Sequence, residues 1–206
     1  MTWLVFPLVT QSLVAKVYTA RYLLFLIPFF LVFSAYFIEF IFSFLKNKVL
    51  TIVALILIFI FPVFQEMLLI NAPAGAWLPE NERKGYLEMW TAGYGIKETA
   101  IYLKEVAKKE KVLVGTEGYF GTLPNGLQMY LERVPNTTVI GVGYPLESLP
   151  EQLLNGLVDN RVFLLVNDTR FKIKETQNLK LVGRYSKAGN KKTQTQENLL
   201  LFELLK

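Results

Sequence analysis

The chain contains no cysteine and no histidine among its 206 residues. This excludes disulfide bonds, thiolate or imidazole metal ligands, cysteine nucleophiles, and catalytic triads that use histidine as the base. It also excludes pH switches based on histidine. Any chemistry must come from carboxylates, lysine, arginine, tyrosine or hydroxyl groups, and we predict neither a metal ion nor a cofactor.

Charge is scarce in the first third of the chain. Residues 1–70 hold four of the 22 basic and two of the 17 acidic residues, which leaves 18 and 15 for the remainder. A surplus of three positive charges over that remainder is too small for a nucleic-acid-binding surface, so no nucleic-acid partner is expected. Apolar residues, in contrast, make up 52% of the chain and aromatic residues 14%. Such a content predicts membrane segments.

Two long apolar runs predict a helical hairpin in the membrane. Residues 22–45 carry one charge, Glu39, and residues 49–70 carry one charge, Glu66, near their end. At about 1.5 Å per residue, each run is long enough to cross a bilayer core of about 30 Å. Because only residues 46–48 connect the two runs, both outer ends face the same side of the membrane.

The connector suggests an orientation for this hairpin. Lys46 and Lys48 lie in a loop of three residues, and the positive-inside rule places such a loop in the cytoplasm. Everything after residue 71 is then extracytoplasmic, and the chain is an integral protein of the cell membrane that contacts membrane lipids. Glu39 has two readings, as a carboxylate that snorkels toward the connector or as a polar site inside the membrane.

The segments on either side of the hairpin differ in character. Residues 1–21 lack the cationic start of a signal peptide and read as an extracytoplasmic loop or an interfacial helix, which suggests the tail of a longer polytopic protein. Residues 71–94 are predicted to be an interfacial linker, because their aromatic side chains suit the level of the lipid headgroups. These side chains are Trp77, Tyr86, Trp90 and Tyr94.

Residues 95–206 alternate between helix and strand patterns and predict an extracytoplasmic α/β domain. Helices are predicted from residue 96 to 107, over about 123–132, and after a capping box formed by Ser148 and Glu151. Strands are predicted at residues 112–114, 138–142, 162–166, 179–185 and 198–205. Two βαβ units imply parallel strands with right-handed crossovers. We therefore predict a small three-layer domain with a mainly parallel sheet and a C-terminal antiparallel hairpin. The lysines of the hairpin loop, Lys187, Lys191 and Lys192, are read as a solvated tip.

A glycine-rich segment, residues 115–121 (GTEGYFG), follows a predicted strand and precedes a predicted helix. Open α/β sheets place ligands at such positions. The glycine spacing differs from that of nucleotide-binding loops, and Glu117 would repel a phosphate. Two readings stay open, a structural tight turn and a polar site that faces a sugar or a headgroup, with Glu117 and Tyr119 as its first candidates. No pair of carboxylates for acid–base chemistry is evident, so no catalytic residue is assigned.

Arg21 lies where a loop meets the first apolar run, and Lys16 lies one to two turns earlier. Arginine presents a fork of donors that matches phosphate oxygens, so these cations are candidates for holding the phosphate of a lipid-linked substrate. Ordinary snorkelling at the interface explains them equally well.

Three runs together resemble the C-terminal portion of bacterial polytopic GT-C glycosyltransferases, the enzymes similar to protein mannosyltransferases and aminoarabinose transferases. The runs are residues 19–28 (TARYLLFLIP), 90–98 (WTAGYGIKE) and 114–127 (VGTEGYFGTLPNGL). The resemblance implies sugar transfer from a polyprenyl-phosphate donor to an extracytoplasmic acceptor. It also implies that Arg21 contacts the lipid phosphate and that the α/β domain is the extracytoplasmic tail. The family's catalytic acid lies in a first extracytoplasmic loop that no residue here matches, so the chain is expected to be a fragment that is inactive alone. The alternatives are a membrane-anchored α/β binding module for a glycan or a protein partner, and a purely structural subunit.

Overall fold

The computed structural model describes residues 2–14, 20–45, 47–190 and 193–205, with side chains from residue 5 onward. The chain divides into two compact units, Met1–Glu82 and Arg83–Lys206. Four lysines named above lie outside the described residues, namely Lys16, Lys46, Lys191 and Lys192.

The long helices of the first unit are apolar. Helix α1 (Thr2–Val14) precedes a 3-10 helix (Ala20–Leu26), which leads directly into α2 (Ile27–Phe44). Helix α3 (Lys48–Asn71) begins where the side chain of Asn47 accepts a hydrogen bond of 2.9 Å from the backbone N–H of Val49. A 3-10 turn (Pro73–Gly75) and the short α4 (Glu80–Arg83) follow.

Two stretches of this unit, Ala20–Phe44 and Lys48–Asn71, have the length and composition needed to cross a membrane, with 25 and 24 residues. Helix α2 buries none of its residues and α3 buries Thr51 alone. Apolar side chains exposed along whole helices are costly in water and favourable in lipid. The predicted pair of apolar helices is therefore confirmed, and the first stretch begins with a 3-10 segment two residues before the predicted start.

The second unit contains a five-stranded mixed sheet with helices. Its strands are β1 (Val112–Thr116), β2 (Thr137–Gly141), β3 (Arg161–Asn167), β4 (Leu179–Ser186) and β5 (Asn198–Leu204). Its α-helices are α5 (Ile96–Ala107), α6 (Thr122–Leu131) and the shorter, six-residue α7 (Glu151–Gly156). A π-helical turn spans Lys84–Glu88. The strand order is β2-β1-β3-β5-β4. Strands β1, β2 and β3 are parallel, whereas β5 is antiparallel to both β3 and β4, so the predicted mixed sheet is confirmed.

Alternate residues of the central strands point into two separate hydrophobic clusters, as the pleat of a strand requires. Val114 and Phe163 pack in one cluster with the apolar residues of α5 and α6. Leu113 and Leu164 pack in the other with Leu153 of α7. Because β3 contributes to both clusters, it reads as a continuous apolar run rather than an alternating one.

The predicted capping box is wrong. Pro150 occupies the N-cap of α7 in an extended conformation, with φ −63° and ψ 135°, and makes no side-chain capping hydrogen bond. Ser148 therefore lies two residues before the cap, too early to accept from the first backbone N–H groups. The fixed φ of proline sets the start of this helix.

Candidate functional site

The carboxyl ends of β1 and β3 lie side by side where the connections of the sheet diverge. The chain leaves β1 into α6, which packs in one cluster, and enters β3 from α7, which packs in the other. Such a switch point is where open α/β sheets place ligands. Here it brings together Glu117, which follows β1, and Asn167, the last residue of β3.

Glu117 is buried and its two carboxylate oxygens are occupied. The side-chain amide of Asn167 donates to Oε1 over 2.5 Å, and the backbone N–H of Asn167 donates to Oε2 over 3.1 Å. Burial raises the pKa of Glu117, an effect that the hydrogen bonds from Asn167 and the charge of Arg170 partly offset. This arrangement agrees with the tight-turn reading of the loop, because Glu117 is 3% exposed and both of its oxygens already accept hydrogen bonds from Asn167.

Lys187 extends the same cluster, and its predicted place on a solvated tip is wrong. The residue is only 2% exposed. Its ammonium group donates to the backbone oxygen of Met89 over 2.9 Å and to the side-chain oxygen of Asn167. Burial lowers its pKa to about 8, against the attraction of Glu197 and Glu117. The chain turns inward directly after β4, so that Lys187 enters the switch point and the exposed part of the loop begins beyond it.

The protein's own backbone completes the switch point. The side-chain amide of Asn167 also lies 3.4 Å from the backbone oxygen of Trp90, and Lys187 binds that of the preceding residue, Met89. Next to these contacts, the backbone N–H of Ala188 donates to the oxygen of Leu87 over 3.0 Å. The segment that precedes α5 therefore fills the place where open α/β sheets hold a ligand.

Arg170 lies at the outer margin of the cluster, between two aromatic rings. Its guanidinium carbon is 3.6 Å from the ring centroid of Trp90 and 4.0 Å from that of Tyr144. One guanidinium nitrogen is 3.9 Å from Oε1 of Glu117, which is an ion pair without hydrogen-bond contact. Cation–π attraction at such distances fixes the plane of the guanidinium and of both rings.

Two glycine-containing loops meet beside this stack. The backbone N–H of Gly118 donates to the oxygen of Gly143 over 2.8 Å. A Cβ atom on Gly141 would lie 2.5 Å from the oxygen of Gly118 and 2.8 Å from the Cα of Tyr119, so only glycine fits there. The close packing of these loops leaves the side chain of Tyr119 on the surface, 76% exposed.

The candidates predicted from the sequence thus differ in their surroundings. Glu117 and Tyr119 share one loop, but only Tyr119 is accessible. Arg21 belongs to the other unit, where it is exposed in the 3-10 helix with its guanidinium carbon 5.2 Å from the ring centroid of Tyr22. Within the described residues, no group of three or more acidic side chains is placed to hold a metal ion.

Sequence reasoning missed three members of the cluster, Asn167, Arg170 and Lys187. A weak signal exists for the first, because a polar residue that ends a buried strand next to a switch point is a common ligand position. The pairing of Arg170 with two rings has no signal, since Trp90 and Tyr144 belong to distant loops.

Comparisons with protein-family models, with curated proteins and with solved structures find no match for this chain.

Proposed function

We propose that the chain serves in a membrane glycosyltransferase of the GT-C class, which moves a sugar from a polyprenyl-phosphate donor to an extracytoplasmic acceptor. The observation that carries this proposal is the position of Arg21. It is the second residue of the apolar stretch Ala20–Phe44, and it is exposed. A guanidinium at the end of a membrane helix lies at the level of lipid phosphates, whose oxygens match its fork of donors.

In this proposal the α/β domain binds and does not catalyse. Glu117 has both oxygens occupied, and one oxygen of Asp168 accepts a hydrogen bond of 2.7 Å from Asn198. A general acid or base must reach its substrate, which a buried, hydrogen-bonded Glu117 does not. The proposal includes the finer topology: residues 46–48 in the cytoplasm, the α/β domain outside, and helices on both faces of its sheet. The two hydrophobic clusters support that three-layer arrangement.

The test is sugar transfer in membranes that contain or lack the chain. Because the chain is expected to be inactive alone, the membranes come from its native cells, with the gene intact, deleted or carrying a substitution. They are supplied with a radiolabelled polyprenyl-phosphate hexose, and label in extracytoplasmic acceptors is counted. We expect Arg21→Ala to raise the KM for the donor at least about tenfold, as loss of a charge-assisted hydrogen bond does. Arg133→Ala, an exposed arginine of the α/β domain, is the matched control and keeps the wild-type KM. Transfer that does not depend on the chain refutes the proposal.

A second candidate is a membrane-anchored binding module for a glycan or a protein partner, without a part in transfer. The exposed side chain of Tyr144 beside Arg170 favours it, together with the exposed Tyr119 next to the loop that carries Tyr144. Aromatic and arginine side chains are the residues enriched in recognition surfaces. This candidate would be favoured over the first if the chain binds a ligand but sugar transfer in membranes does not depend on the chain.

A further inference from the structure

We propose that Trp90, Tyr119, Tyr144 and Arg170, here called the aromatic edge, form a binding site for an uncharged saccharide. This inference deepens the binding role given above to the α/β domain and rests on it. The aromatic edge lies at the carboxyl ends of the strands, outside the switch point that Glu117, Asn167 and Lys187 fill. A ligand would therefore contact the outer surface and leave the buried cluster in place.

The aromatic edge is rigid before any ligand arrives. Arg170 contacts the rings of both Trp90 and Tyr144, with its guanidinium carbon 3.6 and 4.0 Å from their centroids. A Cβ atom on Gly143 would lie 2.9 Å from the hydroxyl of Tyr119, so this tyrosine lies close against the loop that carries Tyr144. Tyr144 is nevertheless 54% exposed. Preorganised rings of this kind offer contact area at a low cost in conformational entropy.

Arg170 supplies donors at the margin of these rings. Its side chain is 18% exposed, and the nearest carboxylate oxygen, that of Glu117, is beyond hydrogen-bond distance at 3.9 Å. Within the described part of the chain, the guanidinium makes no hydrogen bond. Its N–H groups can therefore donate hydrogen bonds to oxygen atoms of a ligand.

The charges around Arg170 favour a neutral ligand. Two cations, Arg170 and Lys187, lie in one cluster with the carboxylates of Glu117 and Asp168. Glu197 adds a further negative charge that acts on Lys187. The aromatic edge therefore has no excess positive charge to attract a phosphate or a uronate.

A saccharide has the chemistry that this combination recognises. The C–H groups on one face of a pyranose ring pack against an aromatic ring, as other apolar groups do. Its hydroxyl oxygens accept hydrogen bonds from a guanidinium without bringing a charge. We place the sugar against both Tyr144 and Tyr119, with its hydroxyl groups toward Arg170.

The test is equilibrium binding to the full chain in lipid nanodiscs, prepared without glucoside or maltoside detergents because their headgroups would compete. The neutral probes are three tetrasaccharides: maltotetraose, cellotetraose and mannotetraose. The anionic probes are a glucuronate disaccharide and mannose 6-phosphate. Saturation-transfer NMR detects contact, and titration calorimetry gives the affinity. We expect at least one neutral probe to bind, and Tyr144→Ala to weaken it at least about tenfold.

Matched variants separate recognition from folding. Tyr119→Ala removes a ring that is 76% exposed, so it reports on binding even where Tyr144→Ala lowers the thermal unfolding midpoint. Tyr130→Ala removes an exposed ring from α6, outside the aromatic edge, and is expected to bind like the wild type. Absence of binding by all neutral probes, equal affinity in Tyr119→Ala and the wild type, or tighter binding of an anionic probe would each overturn this inference. None of these results depends on transfer activity, so sugar transfer in membranes tests the proposed function separately.

Discussion

The side-chain amide of Asn167 donates to Oε1 of Glu117 over 2.5 Å, although fifty residues of sequence separate them. The side-chain oxygen of the same Asn167 accepts a hydrogen bond from Lys187. One amide thus joins the end of β1, the end of β3 and the start of the β4–β5 connection. A buried network of hydrogen bonds stabilises the fold only when every donor and acceptor in it is paired. Each hydrogen bond can therefore be tested by a substitution that turns a donor into an acceptor or removes it.

Asn167→Asp is the sharpest such change. It keeps the shape of the side chain and replaces the donor to Glu117 with an oxygen, so that two carboxyl groups meet in a buried place. We expect the free energy of unfolding to fall by about 2 to 4 kcal/mol, measured by thermal or urea denaturation near pH 7. Asn125→Asp, on an exposed residue of α6, makes the same chemical change and is expected to be nearly neutral. Equal stability of the two variants would mean that the Asn167 contact contributes nothing.

The pH dependence of stability provides a second prediction, through Glu117. Burial raises its pKa above the ordinary value of 4.5, so at a pH between the unfolded and folded pKa values the folded state holds a proton that the unfolded state has released. Its contribution to stability is therefore fully present below about pH 4.5 and is lost as the pH rises through the folded pKa. We expect the wild type to lose stability relative to Glu117→Gln across this interval. Unfolding midpoints at half-unit steps of pH measure the difference, with Glu132→Gln, on an exposed side chain, as the control. A constant difference at all pH values contradicts the prediction.

Lys187 gives a third prediction with the opposite slope. Its folded pKa is about 8, against an ordinary value of 10.5. Between these values the folded state has released a proton that the unfolded state still holds, so the free energy of unfolding rises with pH. Relative to Lys187→Met, the wild type should gain about 1 to 3 kcal/mol between pH 8 and 10.5. Lys180→Met, in edge strand β4, is the control for the loss of an ordinary lysine. If the free energy of unfolding of the wild type and of Lys187→Met changed with pH in the same way, the lowered pKa of Lys187 would be excluded.

The strands could be predicted from the sequence, but the contacts of the site could not. Local patterns suffice for β1 and β3, because a short apolar run bounded by turn residues reads as a buried strand wherever it lies in a fold. Lys187 has no such pattern: its hydrogen-bond partner Met89 is 98 residues away. Three lysines in a polar loop favour exposure on average, and the tertiary turn after β4 reverses this for Lys187. The capping box predicted from Ser148 and Glu151 failed for a local reason, since Pro150 with its fixed φ occupies the N-cap of α7.

The last prediction concerns Gly141, the last residue of β2, which packs against the loop that carries Gly118 and Tyr119. A Cβ atom on Gly141 would lie 2.5 Å from the backbone oxygen of Gly118 and 2.8 Å from the Cα of Tyr119. Backbone atoms cannot rotate away as a flexible side chain can. Gly141→Ala must therefore push the end of β2 away from the loop that carries Gly118, at a cost of about 1 to 3 kcal/mol in the free energy of unfolding. Gly93→Ala is the matched control, because nothing lies within 4 Å of the added carbon, and it is expected to leave stability unchanged or slightly raised. If the aromatic edge binds as proposed, Gly141→Ala also weakens saccharide binding at temperatures where the variant is folded, since it displaces Tyr119. Identical unfolding midpoints for the two variants would show that the loops do not pack as described, and would remove the argument that the aromatic edge is held rigid before a ligand arrives.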